Sequence, residues 1–400
     1  MKAIHGGVTA PIGFRANGLF CGIKKSKRRD LALIVSERPC HAAGVFTTNK
    51  VQASCVVINK EHLRDHRAQA IIANSGNANC MTGRGGFENS RAMAAVISRA
   101  LKIRKKDVLV ASTGVIGKPL PIKKIIAAAP ELVRGLSRKG SELAAAGILT
   151  TDRVNKEAAL EFMIGKRRVR IGAIAKGAGM IHPQMATMLC FASTDAAITP
   201  AALRDALARA AGKTFNTITI DGDMSTNDMA LVLASGMAQN KRIVEGTKDF
   251  RIFSRALETV FLTLAKQMIR DAEGATKFVE VCVRHAQTKE DALAVARSIA
   301  CSSLFKCALF GSDPNWGRIA AAAGYADAHM DPRRMQIYLG RELVLRRGGR
   351  VKKKAVILNR IFAQKNIRIT VDLGLGKYAA TAYTCDFSTN YVRINSAYRT

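Results

Sequence analysis

The 400-residue chain has no long apolar run. Nothing in it approaches the roughly 20 consecutive apolar residues that a membrane-spanning helix needs. Its opening, Met-Lys-Ala-Ile-His-Gly-Gly-Val, lacks a basic segment followed by an apolar one, and lacks an Arg-rich amphipathic stretch. Neither a secretory nor a transit peptide is therefore expected, and a cytoplasmic location is. CxxC pairs are missing too. The nine cysteines, an odd number, are scattered at 21, 40, 55, 80, 190, 282, 301, 307 and 385. That spacing argues against a zinc ribbon and against a disulfide framework, and leaves reduced thiols, mostly buried as small hydrophobes. The seven histidines form no HExxH pair, so no metal site is expected. Aromatic residues are few, at 6% with a single tryptophan, and none interleaves with a basic run to form a stacking platform.

Acidic residues are also scarce: 30 Asp plus Glu stand against 63 Lys plus Arg, a net charge of +33. Such a balance raises nucleic acid or an anionic membrane as a partner. The basic residues, however, come in short runs spread along the whole chain, at Lys24 to Arg29, Lys102 to Lys106, Lys166 to Arg170 and Arg346 to Lys354. A solvated basic surface is the main reading, with neither membrane nor nucleic acid as partner. The sharper one is an electrostatic funnel for anionic substrates.

What is present is a mixture of strand-like and helix-like segments with no repeat and no low-complexity tract. Residues 30–36, 51–58, 68–74, 107–112, 168–175, 187–193, 367–373 and 378–383 read as strands, the last two beginning a run of strands to the end of the chain. Residues 90–103, 121–136, 141–147, 247–271 and 288–300 read as helices, and Thr199-Pro200 opens another, with Thr as N-cap and Pro in the first turn. Several strands are apolar on both faces, which implies sheets covered by helices, an α/β or α+β sandwich. Asp313-Pro-Asn-Trp-Gly-Arg reads as a tight turn with a packed aromatic, and Asp221-Gly-Asp as a turn without the spacing of a calcium loop.

One segment stands out: Lys176-Gly-Ala-Gly-Met-Ile-His-Pro-Gln-Met-Ala-Thr-Met-Leu. A glycine-loosened turn runs through Pro183 to Ala186-Thr187 and into a strand. Alone it carries little, because Thr is common at strand starts. It is one of many blocks, in order, in which the chain resembles the bacterial ornithine acetyltransferases, the glutamate N-acetyltransferases of arginine biosynthesis. The others are Gly13-Phe-Arg-Ala-Asn-Gly, Gly44-Val-Phe-Thr-Thr-Asn, Asn74-Ser-Gly-Asn-Ala-Asn, Ser112-Thr-Gly-Val-Ile-Gly, Thr150-Thr-Asp, Thr219-Ile-Asp-Gly-Asp-Met-Ser-Thr-Asn-Asp, Glu273-Gly-Ala-Thr-Lys, Asp313-Pro-Asn-Trp-Gly-Arg and the terminal Tyr391-Val-Arg-Ile-Asn-Ser-Ala-Tyr-Arg-Thr. Two departures are Ala272 where the family usually has Gly and Met224 where it usually has Thr.

The resemblance implies a layered αββα-like fold akin to the N-terminal nucleophile hydrolases. It implies scission between Ala186 and Thr187 into an α chain of 1–186 and a β chain of 187–400 that fold together, two of each assembling. It implies ping-pong transfer of acetyl from N2-acetylornithine to glutamate through an acetyl-Thr187 ester, without cofactor or metal; some members also take acetyl from acetyl-CoA. Thr113 and Gly114 match the oxyanion pair, and Thr150, Lys176, Glu273, Asn395 and Thr400 match substrate contacts, with Thr151 second to Thr150.

The chemistry is sound independently of the resemblance. A threonine hydroxyl is a poor nucleophile without a base. Scission before Thr187 would create an α-amino group with an unperturbed pKa of about 7.7–8.0, a base beside the hydroxyl it must deprotonate. The β-branch limits χ1 and holds Oγ in place. Attack on an acetyl carbonyl creates an oxyanion, which needs donors already in position. Three rivals are an amidohydrolase with water as acceptor, a basic nucleic-acid-binding protein, and an uncleaved structural paralogue.

Overall fold

The computed structural model describes residues 1–182 and 188–397. The first part of the chain runs β1 (Lys2–Ile4), β2 (Phe14–Leu19), β3 (Leu31–Phe46), α1 (Ser54–His62), β4 (Arg67–Asn77), α2 (Gly83–Leu101), β5 (Val108–Val115), α3 (Ile122–Arg134), α4 (Ser141–Ile148), β6 (Lys156–Ile164), β7 (Arg167–Lys176) and β8 (Leu189–Thr194). The remainder runs α5 (Pro200–Lys213), β9 (Met229–Ala234), α6 (Lys248–Arg270), β10 (Phe278–Ala286), α7 (Lys289–Cys301), α8 (Ser303–Phe310), α9 (Trp316–Gly324), β11 (Gln336–Leu339), β12 (Glu342–Arg346), β13 (Gly349–Arg350), α10 (Ala355–Phe362), β14 (Asn366–Asp372), β15 (Tyr378–Cys385) and α11 (Thr389–Ala397).

Among the described residues, nine strands form a mixed sheet in the order β1-β6-β7-β8-β9-β3-β4-β5, with β2 on β3, and six form a second sheet, β13-β12-β11-β14-β10-β15. The α+β class expected from the sequence holds. The centre of the large sheet shows why its strands are apolar throughout. In β8 and β9, Cys190, Ala192, Ala230 and Val232 point to one core, and Leu189, Phe191, Leu231 and Leu233 to the other. Successive side chains alternate faces, and both faces are covered. Helices α1 to α4 cover one face. Helices α5 and α6 cover the other, where Phe253, Leu257, Phe261 and Leu264 of α6 are buried and the same core reaches Phe278 and Tyr383 of the second sheet. Helices α7 to α10 close the outer face of that sheet.

Local signals explain most boundaries. Thr199 caps α5, its hydroxyl accepting from Ala202 N at 3.3 Å, with Pro200 in the first turn as expected. Trp316, half-buried on the third core, begins α9 under an Asn315 cap.

Two expectations are corrected. Residues 51–58 are not a strand: Ser54–His62 is helical. The reason is the exposed edge of β5, the last strand of the sheet. Asn59 on α1 donates to Val110 O (2.8 Å) and accepts from Val110 N (2.9 Å), and His62 Nδ1 meets Val108 O at 2.9 Å. The helix satisfies an edge that would otherwise be unpaired, and this overrides the β-branched local preference. The C-terminus is not all strand either. After β15 the chain turns into α11, which carries Tyr391 and Asn395 back across the molecule. No single described helix is long and apolar enough to cross a membrane.

Candidate active site

The ends of β4, β5 and β7, the loop before β6, the loop before β9, the turn after α6 and α11 converge on one pocket. Its lining includes Thr113, Gly114, Thr150, Thr151, Lys176, Glu273 and Asn395. Seven residues singled out from the sequence therefore share one cavity. Ala186, Thr187 and Thr400 lie outside the described residues; Met188, which follows Thr187, is buried.

Thr113 and Gly114 sit where β5 pairs in parallel with β4, Thr113 opposite Ser75 and Gly114 opposite Gly76. Gly114 has φ +130°, and a Cβ there would stand 2.4 Å from Gly76 C and 2.5 Å from Asn77 N, so only glycine fits. The pocket thus gains a bare backbone at this point. Lys176, the last residue of β7, is buried, and its Nζ donates to Thr113 Oγ1 at 3.3 Å. Thr113 accepts from the ammonium and keeps its own O–H to donate. Burial pushes the Lys176 pKa down; Asp152 and Asp228 pull it back up, Lys156 lowers it further and Glu273 opposes.

The glycines after Lys176 also have a concrete role. A Cβ on Gly179 would lie 2.6–2.9 Å from the Glu273 carboxylate, which rests against the turn. Glu273 N donates to Ala178 O at 2.8 Å, and Asn395 Nδ2 donates to Glu273 Oε2 at 2.8 Å. Helix α11 therefore brings Asn395 into the pocket beside Glu273.

Thr150 and Thr151 both line the pocket, so the structure brings both candidates there without choosing between them. Their loop is held by charges that sequence reasoning missed. Asp152 accepts from Thr150 N (3.1 Å), Gly177 N (2.8 Å) and Lys156 Nζ (2.7 Å). Lys156 also donates to Asp271 at 2.6 Å, and Asp271 receives Arg153 N and Nε. Lys156 and Asp152 are fully buried. Burial pushes the Asp152 carboxyl up, but Lys156, Lys176 and the Gly177 amide outweigh it and hold the group at about 2. Lys156 and Asp271 carry no local motif, and only the fold shows that they meet.

The Asp221-Gly-Asp turn does more than turn. Asp221 accepts from Met180 N (2.6 Å), Ile181 N (2.9 Å) and Tyr391 Oη (3.1 Å), pinning the segment before Pro183 to α11. Asn227 donates to Ala78 O and Ser112 O at 2.7 and 2.8 Å, tying the loop before β9 to β5. Asp228 Oδ1 accepts from Met188 N at 3.0 Å, while its buried Oδ2 has no hydrogen-bond partner among the described residues. Burial drives the Asp228 carboxyl well above the usual carboxylate range, against the opposing pull of Lys176. No cluster of metal-ligating side chains occurs among the described residues.

The pocket combines a bare backbone and a hydroxyl polarised by a buried ammonium with a carboxylate and an amide lining the same cavity. Those groups suit an acyl group and a charged amino acid. Known proteins resemble the chain along its length. A model of the ArgJ family matches residues 15–400. The arginine biosynthesis bifunctional protein ArgJ of Symbiobacterium thermophilum is 48% identical over 402 residues, with 100% of both chains covered. That of Caldanaerobacter subterraneus subsp. tengcongensis is 45% identical over 404 residues, again with 100% of both covered. Among solved structures, the arginine biosynthesis bifunctional protein ArgJ of Bacillus halodurans is 38% identical with a TM-score of 0.51, covering 52% of this chain and 98% of that chain. With the family pattern running from Arg15 to the last residue and full-length relatives at this identity, the chain belongs to the ArgJ family.

Proposed function

We propose that the protein is a self-cleaving acetyltransferase of arginine biosynthesis, acting in the cytoplasm, which moves acetyl from N2-acetylornithine to glutamate through Thr187. The observation that carries this reading is the Lys176–Thr113 contact beside Gly114, in the same pocket as Glu273 and Asn395.

In the scission step Thr187 Oγ adds to the Ala186 carbonyl carbon, its proton passes to the departing amide nitrogen, and the C–N bond breaks to leave an ester. Water opens the ester, giving an Ala186 carboxylate and a Thr187 with free hydroxyl and amine. In the transfer step that amine accepts the Oγ proton as Oγ attacks the acetyl carbonyl of N2-acetylornithine. The oxyanion is met by the Thr113 hydroxyl and the Gly114 N–H, the former strengthened by the Lys176 ammonium. The proton goes to the ornithine nitrogen, the amide C–N bond breaks, and ornithine leaves. Glutamate's amine then attacks the acetyl ester, regenerating Thr187 and releasing N-acetylglutamate. Lys176 suits the substrate carboxylate, and Glu273 an ammonium; Thr150, Asn395 and Thr400 complete the contacts. The relatives' designation as bifunctional supports a second reaction, from acetyl-CoA to glutamate. In this reading scission gives chains 1–186 and 187–400 that remain folded together, two of each assembling; the solved B. halodurans chain, 98% of which is covered by 52% of this one, has about the length of one such piece.

Intact mass spectrometry tests the reading. Two fragments parting before Thr187 are expected, with Thr187→Ala remaining whole and inactive. A single unbroken chain that transfers acetyl at full rate would sink it. Acetate release with no dependence on glutamate would reassign the enzyme as a hydrolase.

A further inference from the structure

Outside the pocket lies a second, larger depression, a groove of about 630 Å³ against about 100 Å³ for the pocket. It is lined by the end of β2, the Lys27-Arg28-Arg29 part of the first basic run, and Glu131 to Gly135 at the end of α3. Lys27, Arg28, Arg29 and Arg134 face one acidic residue, Glu131, and none of the four basic side chains has an ion-pair partner among the described residues. Asp30, the nearest acid in sequence, does not neutralise them. Its carboxylate is taken by the backbone N–H groups of Cys21, Ile23 and Lys24 at 2.6, 2.7 and 2.9 Å, which folds the loop. The basic run held no aromatic, but the fold supplies one from just before it: Phe20 lines the same groove and is 43% exposed.

Arg28 links the groove to the pocket. Arg28 lines the groove, and its Nη2 donates to Thr150 O at 2.7 Å, while Thr150 lines the pocket. Burial, more than any single charge, lowers the Lys24 pKa to about 8; Arg28 and Lys176 add to that, and Asp30 and Asp152 oppose it, so the electrostatic influence of the groove's Arg28 and of the pocket's Lys176 meets at this side chain. Guanidinium groups without carboxylate partners recognise phosphate oxygens, and an exposed aromatic gives a base a face to stack on. Neither N2-acetylornithine nor glutamate carries a phosphate or a ring.

We propose that this groove docks the phosphorylated adenine-nucleotide half of acetyl-CoA, stacking on Phe20 and held by Lys27, Arg29 and Arg134, with the thioester arm passing Arg28 and Thr150 into the pocket. The inference rests on the reading of acetyl-CoA as a second donor. The groove binds and orients that donor; the thioester C–S bond breaks at the pocket, where acetyl passes to Thr187 Oγ and the thiol leaves with the Oγ proton.

The test compares donors in Phe20→Ala and in the double variant Lys27→Glu/Arg134→Glu, none of which touches the pocket. The KM for acetyl-CoA is expected to rise roughly tenfold in each, with kcat unchanged and acetylornithine-to-glutamate exchange unaffected. Equal losses with both donors, or no change with acetyl-CoA, would overturn the assignment. Calorimetry with coenzyme A and with 3′,5′-adenosine bisphosphate gives a readout independent of turnover. If the wild type exchanges acetyl from acetylornithine but binds neither nucleotide, the groove assignment fails while the transferase reading stands. If the wild type uses neither donor, the transferase reading itself fails. Displacement of coenzyme A only by a single-stranded oligonucleotide, and not by the bisphosphate, would assign the groove to nucleic acid instead.

Discussion

At the scale of single residues, the site depends on atoms that are absent as much as on those present. Gly114 places its backbone against Gly76 with no room for a methyl group. Gly114→Ala must push the end of β5 off β4, which moves both Thr113 and the backbone N–H at once. We expect kcat to fall by about 10²–10³, the usual cost of losing an oxyanion donor, with chain scission slowed as well. Steady-state kinetics and the time course of fragment appearance check this; unchanged kcat would remove Gly114 from the mechanism. Asp228 poses a different question. It holds the N–H next to Thr187 and keeps one carboxylate oxygen unbonded among the described residues. A carboxyl that stays protonated in the fold but ionises in the unfolded chain costs stability as pH rises above the ordinary carboxylate range, about 4. Asp228→Asn keeps an oxygen for Met188 N and has no proton to lose. Its melting temperature relative to wild type should therefore climb as pH rises above about 4. A variant that is instead less stable at the upper end would mean that Asp228 is ionised and paired with Lys176.

At the scale of elements, the loop from Thr150 to Lys156 is fixed by a buried cation between two buried acids. Lys156→Met leaves Asp152 and Asp271 facing each other without it. Breaking a buried pair from one side costs about 3–5 kcal/mol, enough to threaten folding, and urea midpoints would show it. The same arrangement sets the acid limit. The Asp152 carboxyl, depressed to about 2, contributes stability that is fully present above the unfolded value of about 4 and is lost as pH falls towards 2. Lys156 is the largest cation holding it down, so in the variant acid unfolding should begin at higher pH. These two elements also show what the sequence discloses and what it hides. The helix at Thr199-Pro200 was legible because its cap and first turn are local. The helix at Ser54–His62 was not, because its cause is the unpaired edge of β5, a strand some fifty residues later in the chain. Thr113, Lys176 and Glu273 were legible as blocks of a family pattern; Lys156, Asp271 and Asp228 act through partners that only the folded chain brings near. Asp221 was visible but undervalued as a turn, since its three partners come from the segment before Pro183 and from α11.

At the scale of the whole molecule the net charge of +33 has to be reconciled with a compact fold. Local ion pairs do little of that. Arg84–Glu88 and Arg209–Asp205 are i,i+4 pairs on exposed helix surfaces, where such contacts are worth little. The excess cations repel one another over longer distances: among the described residues, only Arg104 of the run Lys102 to Lys106 meets acids, Asp65 and Asp107, and only Lys353 of Arg346 to Lys354 does, at Glu342. Salt acts on the two terms differently. It weakens the few surface pairs slightly, but it screens repulsion between groups more than about 10 Å apart at 0.1 M, which is the larger sum here. The melting temperature should therefore rise by several degrees from about 20 mM to about 300 mM sodium chloride, opposite to a protein stabilised by surface ion pairs. Sulfate is a poor probe because it also strengthens apolar burial, so chloride is the salt to use. A melting temperature that falls with added chloride would show that the cations are matched by pairs or by bound anions. The same titration bears on the groove: acetyl-CoA turnover should weaken with salt more steeply than acetylornithine turnover, because only the former donor carries phosphates to the unpaired arginines.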